Sequence, residues 1–156
     1  MGIFNWVFGG NAKKPQDEPW KEGVTKDYYE NGQLKMEANY KDGKLEGVAK
    51  FYYESGQLEL EGNYKNDKTD GFNNEYYECG QLKLKRNFKR GKLEGLAKLY
   101  YENGQLGSEG NYKDSEAEGL WKFYHTNGQL KEERNYKDGQ VISKKCFNEN
   151  GDKIEC

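Results

Sequence analysis

His125 is the only histidine in the chain, and it stands where four earlier segments carry Tyr29, Tyr53, Tyr77 and Tyr101. A lone imidazole with no second ligand at metal-site spacing cannot close a metal centre, so His125 reads as a substituted member of an aromatic ladder. Cys79, Cys146 and Cys156 form an odd set without framework spacing, which predicts reduced thiols in a cytosolic setting, the last two included. Glu22, Glu46, Asp70, Glu94 and Glu118 recur at a fixed step of 24 residues. Stacked hairpins would space them about 10 Å apart, too far for two carboxylates to share one bond in acid–base catalysis. They read as a solvated edge that discourages strand pairing, or as a strip for a basic partner. With no nucleophile–base pair, metal set or phosphate loop, the chain is not expected to be an enzyme or to need a cofactor or metal.

The same step organises the rest of the chain. Glu30-Asn31-Gly32-Gln33-Leu34 returns four times, ending as Thr126-Asn127-Gly128-Gln129-Leu130, and each return lies 24 residues on. A glycine (Gly23 to Gly119), a tyrosine (Tyr28 to Tyr124) and an asparagine (Asn39 to Asn135) keep the same interval. So does an aromatic, as Tyr40, Tyr64, Phe88, Tyr112 and Tyr136. Segments such as Val48–Tyr53 are β-branched and aromatic, and a Gly-containing turn separates each from a second strand such as Leu58–Tyr64. The recurring glycines and the lack of a long 3.6-residue stripe exclude helix. The expected fold is all-β: an elongated, open-ended, solenoid-like single antiparallel sheet of tandem β-hairpins. Residues 23–142 form five units and 143–156 a shorter sixth that caps the C-terminus. Residues 1–22 read as an apolar segment and linker that caps the first hairpin's open edge.

Facing residues of an antiparallel pair share a face. A three-residue loop, Glu30-Asn31-Gly32 with Gly32 left-handed, sets Tyr28 against Leu34. It also predicts Val24, Val48 and Leu96 opposite Ala38, Gly62 and Gly110. The last unit is one residue short, since Gly151 follows Gly128 by 23. This predicts a tighter Asn150-Gly151 turn pairing Phe147 with Ile154. In two units Asp67 and Ser115 replace the second-turn glycine, and less regular connections are expected there. Thr25, Ala49, Asn73, Ala97 and Trp121, with Asp27, Phe51, Glu75, Leu99 and Phe123, are expected on a free face. That face varies between units, as a recognition surface on a repeat scaffold would.

Composition narrows the partners. With 25 basic and 27 acidic residues the net charge is −2, which argues against nucleic acid and gives no pull toward anionic membranes. Leu, Ile, Val and Phe make up only about 17% of the chain, so the 13 tyrosines must supply buried area, and a thin architecture fits better than a compact core. No apolar run approaches the roughly 18 residues of a membrane helix. Met1–Phe8 is too short for a signal-peptide core and lacks a basic leader.

The columns Gly-x-x-x-x-Tyr-Tyr-x-Asn-Gly-Gln-Leu and Asn-Tyr-Lys-Asp-Gly-Lys-Leu-x-Gly resemble the MORN repeat variant, through residues 23–46, 47–70, 71–94, 95–118 and 119–142. Bacterial proteins of this build are often grouped as YwqK-family antitoxins, so the resemblance implies a cytoplasmic binding or neutralising protein. The expected function is non-catalytic recognition of a protein partner, such as a toxin. The binding residues would be Leu99, Trp121, Phe123 and Phe51 on the variable face, with Glu46, Asp70, Glu94 and Glu118 along the acidic strip. Two other readings use the aromatics differently. One is a choline-type ligand held by cation–π contact in tyrosine-rich repeats. The other is a membrane-associated scaffold touching lipid through residues 3–8.

Overall fold

A computed structural model describes residues 22–156. The expected cap at residues 3–8 and most of the linker lie outside the described residues. The chain runs β1 (Gly23–Tyr28), β2 (Leu34–Lys41), β3 (Lys44–Tyr52), β4 (Leu58–Lys65), β5 (Lys68–Tyr76) and β6 (Leu82–Lys89). It continues through β7 (Lys92–Leu93), β8 (Gly95–Tyr100), β9 (Leu106–Lys113), β10 (Glu116–Tyr124), β11 (Leu130–Lys137), β12 (Gln140–Phe147) and β13 (Lys153–Ile154). The strands pair antiparallel in chain order in one open sheet, except that β7 and β8 both pair with β6 and not with each other. No helix occurs among the described residues.

The first turn of each unit is the expected three-residue loop. Tyr29 N donates to Gln33 O (2.8 Å) and Gly32 N to Tyr29 O (3.0 Å), with Gly32 at φ +85°. Tyr28 therefore faces Leu34. One step later the register slips: Asp27 faces Met36, and Lys35 is left over as a bulge. This overturns the expected facing of Val24 with Ala38. Val24 faces Asn39 and Thr25 faces Ala38, and the slip recurs at Phe51/Tyr52, Glu75/Tyr76, Leu99/Tyr100 and Phe123/Tyr124. A one-residue slip exchanges faces, so the residues expected to lie free are turned onto the packed side. Ala38 and Ala49 (each 1% exposed), Met36, Leu45 and Tyr64 form its core, and Tyr40 and Phe51 pack against them. Asn73, Ala97 and Trp121 are buried on the same face. Val24, Val48, Leu96 and Leu120 stay exposed on the other.

A second bulge explains the recurring glycine at the unit boundary. Ala38 faces Ala49 and Tyr40 faces Leu45, so β3 carries two extra residues around Gly47, whose φ is +85°. A side chain would strain that backbone. The asparagine column closes this bulge: Asn39 Nδ2 donates to Glu46 O (3.0 Å), and Asn63 Nδ2 to Asp70 O.

The second turns are two-residue turns with positive φ at both positions, including Asn66-Asp67 (49° and 64°) and Asp114-Ser115 (51° and 76°). The irregularity expected at Asp67 and Ser115 is absent. Asp67 Oδ1 accepts from Leu45 N (2.8 Å) and Ser115 Oγ from Leu93 N (3.0 Å), so each side chain bonds to the preceding unit. That gain offsets the roughly 1 kcal/mol of left-handed strain.

The last hairpin also departs from expectation. Asn148 N donates to Asp152 O (2.9 Å), so Phe147 faces Lys153 and Cys146 faces Ile154 across another three-residue loop. The missing residue comes from the bulge instead. Tyr136 faces Val141 and Asn135 faces Ser143, which leaves one extra residue where other units have two. Val141-Ile142-Ser143 contains no glycine to support the wider bulge.

Cys146 and Cys156 are joined by a disulfide, with Cα atoms 5.2 Å apart, which corrects the expectation of reduced thiols there; Cys79 is free and exposed. Pairing β12 with β13 brings the two sulfurs together, a proximity that compartment reasoning does not weigh. The cross-link spans 10 residues, and β13 is otherwise held by two bridge pairs. Closing such a loop stabilises by about 2.5 kcal/mol in the chain-entropy account. Cys156→Ser, or reduction with a dithiol, is expected to abolish amide protection at β13 while β2–β11 keep theirs. Hydrogen exchange checks this, and retained protection at Lys153–Ile154 would mean that strand pairing alone holds the end.

Candidate recognition surface

Most of the repeating polar columns bind one unit to the next. Tyr29, Tyr53, Tyr77 and Tyr101 donate their hydroxyls to the carbonyls of Tyr52, Tyr76, Tyr100 and Tyr124 at 2.6–2.9 Å. His125 takes the same place, with Nε2 3.1 Å from Phe147 O, as a ladder member would. Cation–π contacts occur here inside the chain, with Lys35 and Lys83 each 5.5 Å from the ring centres of Tyr29 and Tyr77.

The acidic column has a structural task. The carboxylates of Glu22, Glu46, Asp70, Glu94 and Glu118 accept from the backbone N–H of Asp42, Asn66, Arg90, Asp114 and Asp138, at 3.0–3.4 Å. Each holds the two-residue turn that leads from its own hairpin into the next. Sequence reasoning offered this column only as a solvated edge or a partner strip, because a bond across 20 residues to a backbone N–H leaves no mark in residue type.

Of the four apolar candidates, Phe51 stands apart from Leu99, Trp121 and Phe123. Phe51 packs against the N-terminal core. Trp121 is 8% exposed, edge-on to Tyr112 (5.0 Å) and stacked with Phe123 (6.2 Å), and its Nε1 donates to Asn111 O (3.1 Å). Its ring covers Gly110, where a Cβ would fall 2.1 Å from Cδ2. Leu99 remains 38% exposed. Leu99 and Phe123 both face Ser108, from β8 and β10 on either side of β9. The result is a small-residue position between two apolar walls, with the Trp121 row beside it. Ser108 was not among the sequence candidates; its column otherwise holds Met36, Leu60, Leu84 and Glu132, and that break in size is the legible signal.

Polar groups on this face are paired. Arg86 donates to Asn73 Oδ1 (2.8 Å) and bonds Glu75. Arg134 grips Glu132 with two bonds, at 2.6 and 3.0 Å, and lies over the Phe123 ring at 4.6 Å. The Arg134 guanidinium, with Lys144 beside it, holds the Glu132 carboxyl below the usual carboxylate range. Burial, with the Glu75 charge adding to it, pushes Glu59 up. At the turn edge, Lys65, Asn66, Lys68, Asp70 and Arg90 line an open hollow of about 320 Å³. No cluster of three metal-ligating side chains exists among the described residues, nor any helix long and apolar enough to cross a membrane.

Hairpins bonded unit to unit by fixed columns, with the changing residues gathered on one face, define a linear β-repeat binding module. The family model of the MORN repeat variant matches residues 21–42, 45–66, 93–114 and 117–138, and the chain belongs to that family. It is a family of non-enzymatic repeats that generally contact proteins or membrane lipids. The unit at β5–β6, expected to match, falls outside those four segments yet forms the same hairpin. No curated protein matches the chain.

Proposed function

We propose that the chain recognises a protein partner through the Leu99–Ser108–Phe123 position, which receives a bulky apolar side chain. Its role would be to cover the partner's working site, as an antitoxin or immunity protein does. The observation that carries this is the pairing of Leu99 and Phe123 with the same small residue, on the face whose side chains change from unit to unit. The acidic column contributes by holding the turns and remains a candidate for secondary contact with a basic partner.

Trp121 is a poor probe because its removal disturbs the packing. Leu99→Asp and Phe123→Ala are expected to weaken capture of the partner from native-host lysate at least tenfold, as hot-spot truncations do. Val24→Ser on the opposite face should leave capture unchanged. Equal capture by wild type and Leu99→Asp, measured by quantitative mass spectrometry, would sink the proposal.

A further inference from the structure

The exposed face has a self-complementary pattern. In each of the five full units, the first strand (β1, β3, β5, β8, β10) presents an apolar residue, from Val24 to Leu120, then the column that begins at Lys26. The second strand (β2, β4, β6, β9, β11) presents asparagine opposite the apolar residue, and the column that begins at Glu37 opposite the lysine. Across the sheet the charges alternate, with in-sheet pairs such as Lys26–Glu37 (2.9 Å) and Lys98–Glu109 (3.0 Å). The alternation fails at two neighbouring positions, Asn74 for a cation and Lys85 for an anion, which face each other on β5 and β6.

We infer that this face packs against the same face of a second copy, about a two-fold axis parallel to the strands between β5 and β6. Such an axis reverses the strand order, so each first strand lies over a second strand of the other copy. Glu61 then faces Lys98 of the second copy, and Lys50 faces its Glu109. Further out, Glu37 meets Lys122 and Lys26 meets Glu133. The two exceptions fall on the axis against each other: Asn74 faces Lys85 of the second copy, so no like charges meet. Apolar residues, repeating about every 10 Å, are offset by one strand, about 4.8 Å, and enter the gaps of the opposing comb. Val24 is 67% exposed and Val48, Leu96 and Leu120 are 43–44% exposed, so among the described residues this comb is left uncovered. Facing sheets cross at about −30°, so the axis lies about midway between the two strand directions and the match is concentrated near it.

Asn74 stands between Glu61 and Lys85 of its own sheet and is only half satisfied there. Its Nδ2 donates to Glu61 (3.1 Å), but Oδ1 is buried with no hydrogen-bond partner among the described residues. A lysine, as in the rest of the column, would pair with Glu61 on one side but face Lys85 of its own sheet on the other, where like charges destabilise. What asparagine supplies is neutrality opposite Lys85, within the sheet and again across the axis. The dimer leaves both recognition faces outward and makes the module bivalent.

Sedimentation of the full chain from about 1 to about 100 µM tests this. A reversible dimer is expected. Asn74→Lys should raise its dissociation constant about tenfold or more by setting two lysine pairs at the axis, read beside the melting temperature of the dilute chain because position 74 also faces Lys85 within the sheet. Asn74→Glu should tighten the dimer, and Leu96→Glu should loosen it. A monomer throughout the range, or a dimer indifferent to Asn74→Lys and Leu96→Glu, would overturn the inference. The second outcome would place contact at the open strand ends or residues 1–21.

Discussion

Gly110→Ala is expected to lower stability by about 3 kcal/mol, seen as a fall of roughly 10 °C in melting temperature for a chain of this size. In a strand interior alanine is ordinarily better than glycine by roughly 0.5–1 kcal/mol, so the loss must come from packing. A Cβ at 110 would meet Trp121 Cδ2, Cε2 and Cγ at 2.1, 2.3 and 2.4 Å. The ring has nowhere to go, because Tyr112 and Tyr136 stand edge-on to it at 5.0 and 6.0 Å and Nε1 is bonded to Asn111 O. Trp121→Ala alone should cost about 3–5 kcal/mol through the cavity it leaves. The double variant should be about 2 kcal/mol more stable than the two losses predict, since it recreates the Ala38–Ala49 facing already present between β2 and β3. Thermal melts of the four chains measure this coupling. An unperturbed Gly110→Ala protein would show that Trp121 does not lie over Gly110.

Arg134→Ala is expected to cost about 3 kcal/mol by leaving the buried Glu132 carboxylate short of its bidentate partner, with only Lys144 at 3.3 Å remaining. It also uncovers one side of the Phe123 ring. Arg134→Lys should recover less than half of the loss, because an ammonium cannot reproduce the two-bond grip. The pH dependence follows from the direction of the Glu132 shift. Its folded carboxyl is held below the ordinary value of 4.5, so the contribution is present in full above that range. It is lost as pH falls through the lowered folded value, when the unfolded chain binds the proton more readily. Glu109, held down first by Lys98, acts in the same direction. Wild-type melting temperature should therefore drop between about pH 5 and pH 3. The Arg134→Ala chain, which has already lost that contribution at neutral pH, should fall less steeply. Parallel profiles would show that Glu132 is not stabilised through Arg134.

The period, the all-hairpin architecture and the three-residue loop were legible in the residues, because each depends on local chemistry repeated at a fixed interval. Gly32 marks a left-handed turn position, Tyr28 pairs with Leu34, and His125 keeps the ladder place of the tyrosines. Local chemistry also makes the two-residue turns tolerate Asp67 and Ser115, but the compensating bonds run to the preceding unit, beyond any local reading.

Which face is packed was decided by tertiary structure. A bulge of one residue at Lys35, repeated in every full unit, reverses the facing of everything before it. Nothing in the residue type at that position, which is Lys35, Glu59, Lys83, Gly107 or Lys131, announces the slip. The acidic column became a set of turn clamps, Trp121 a buried support, and Ser108 the floor between Leu99 and Phe123, all through bonds or packing between strands. Sequence fixes which residues alternate; only the pairing of whole strands fixes which way the alternation points, since a shift of one residue costs little locally and inverts the entire sheet.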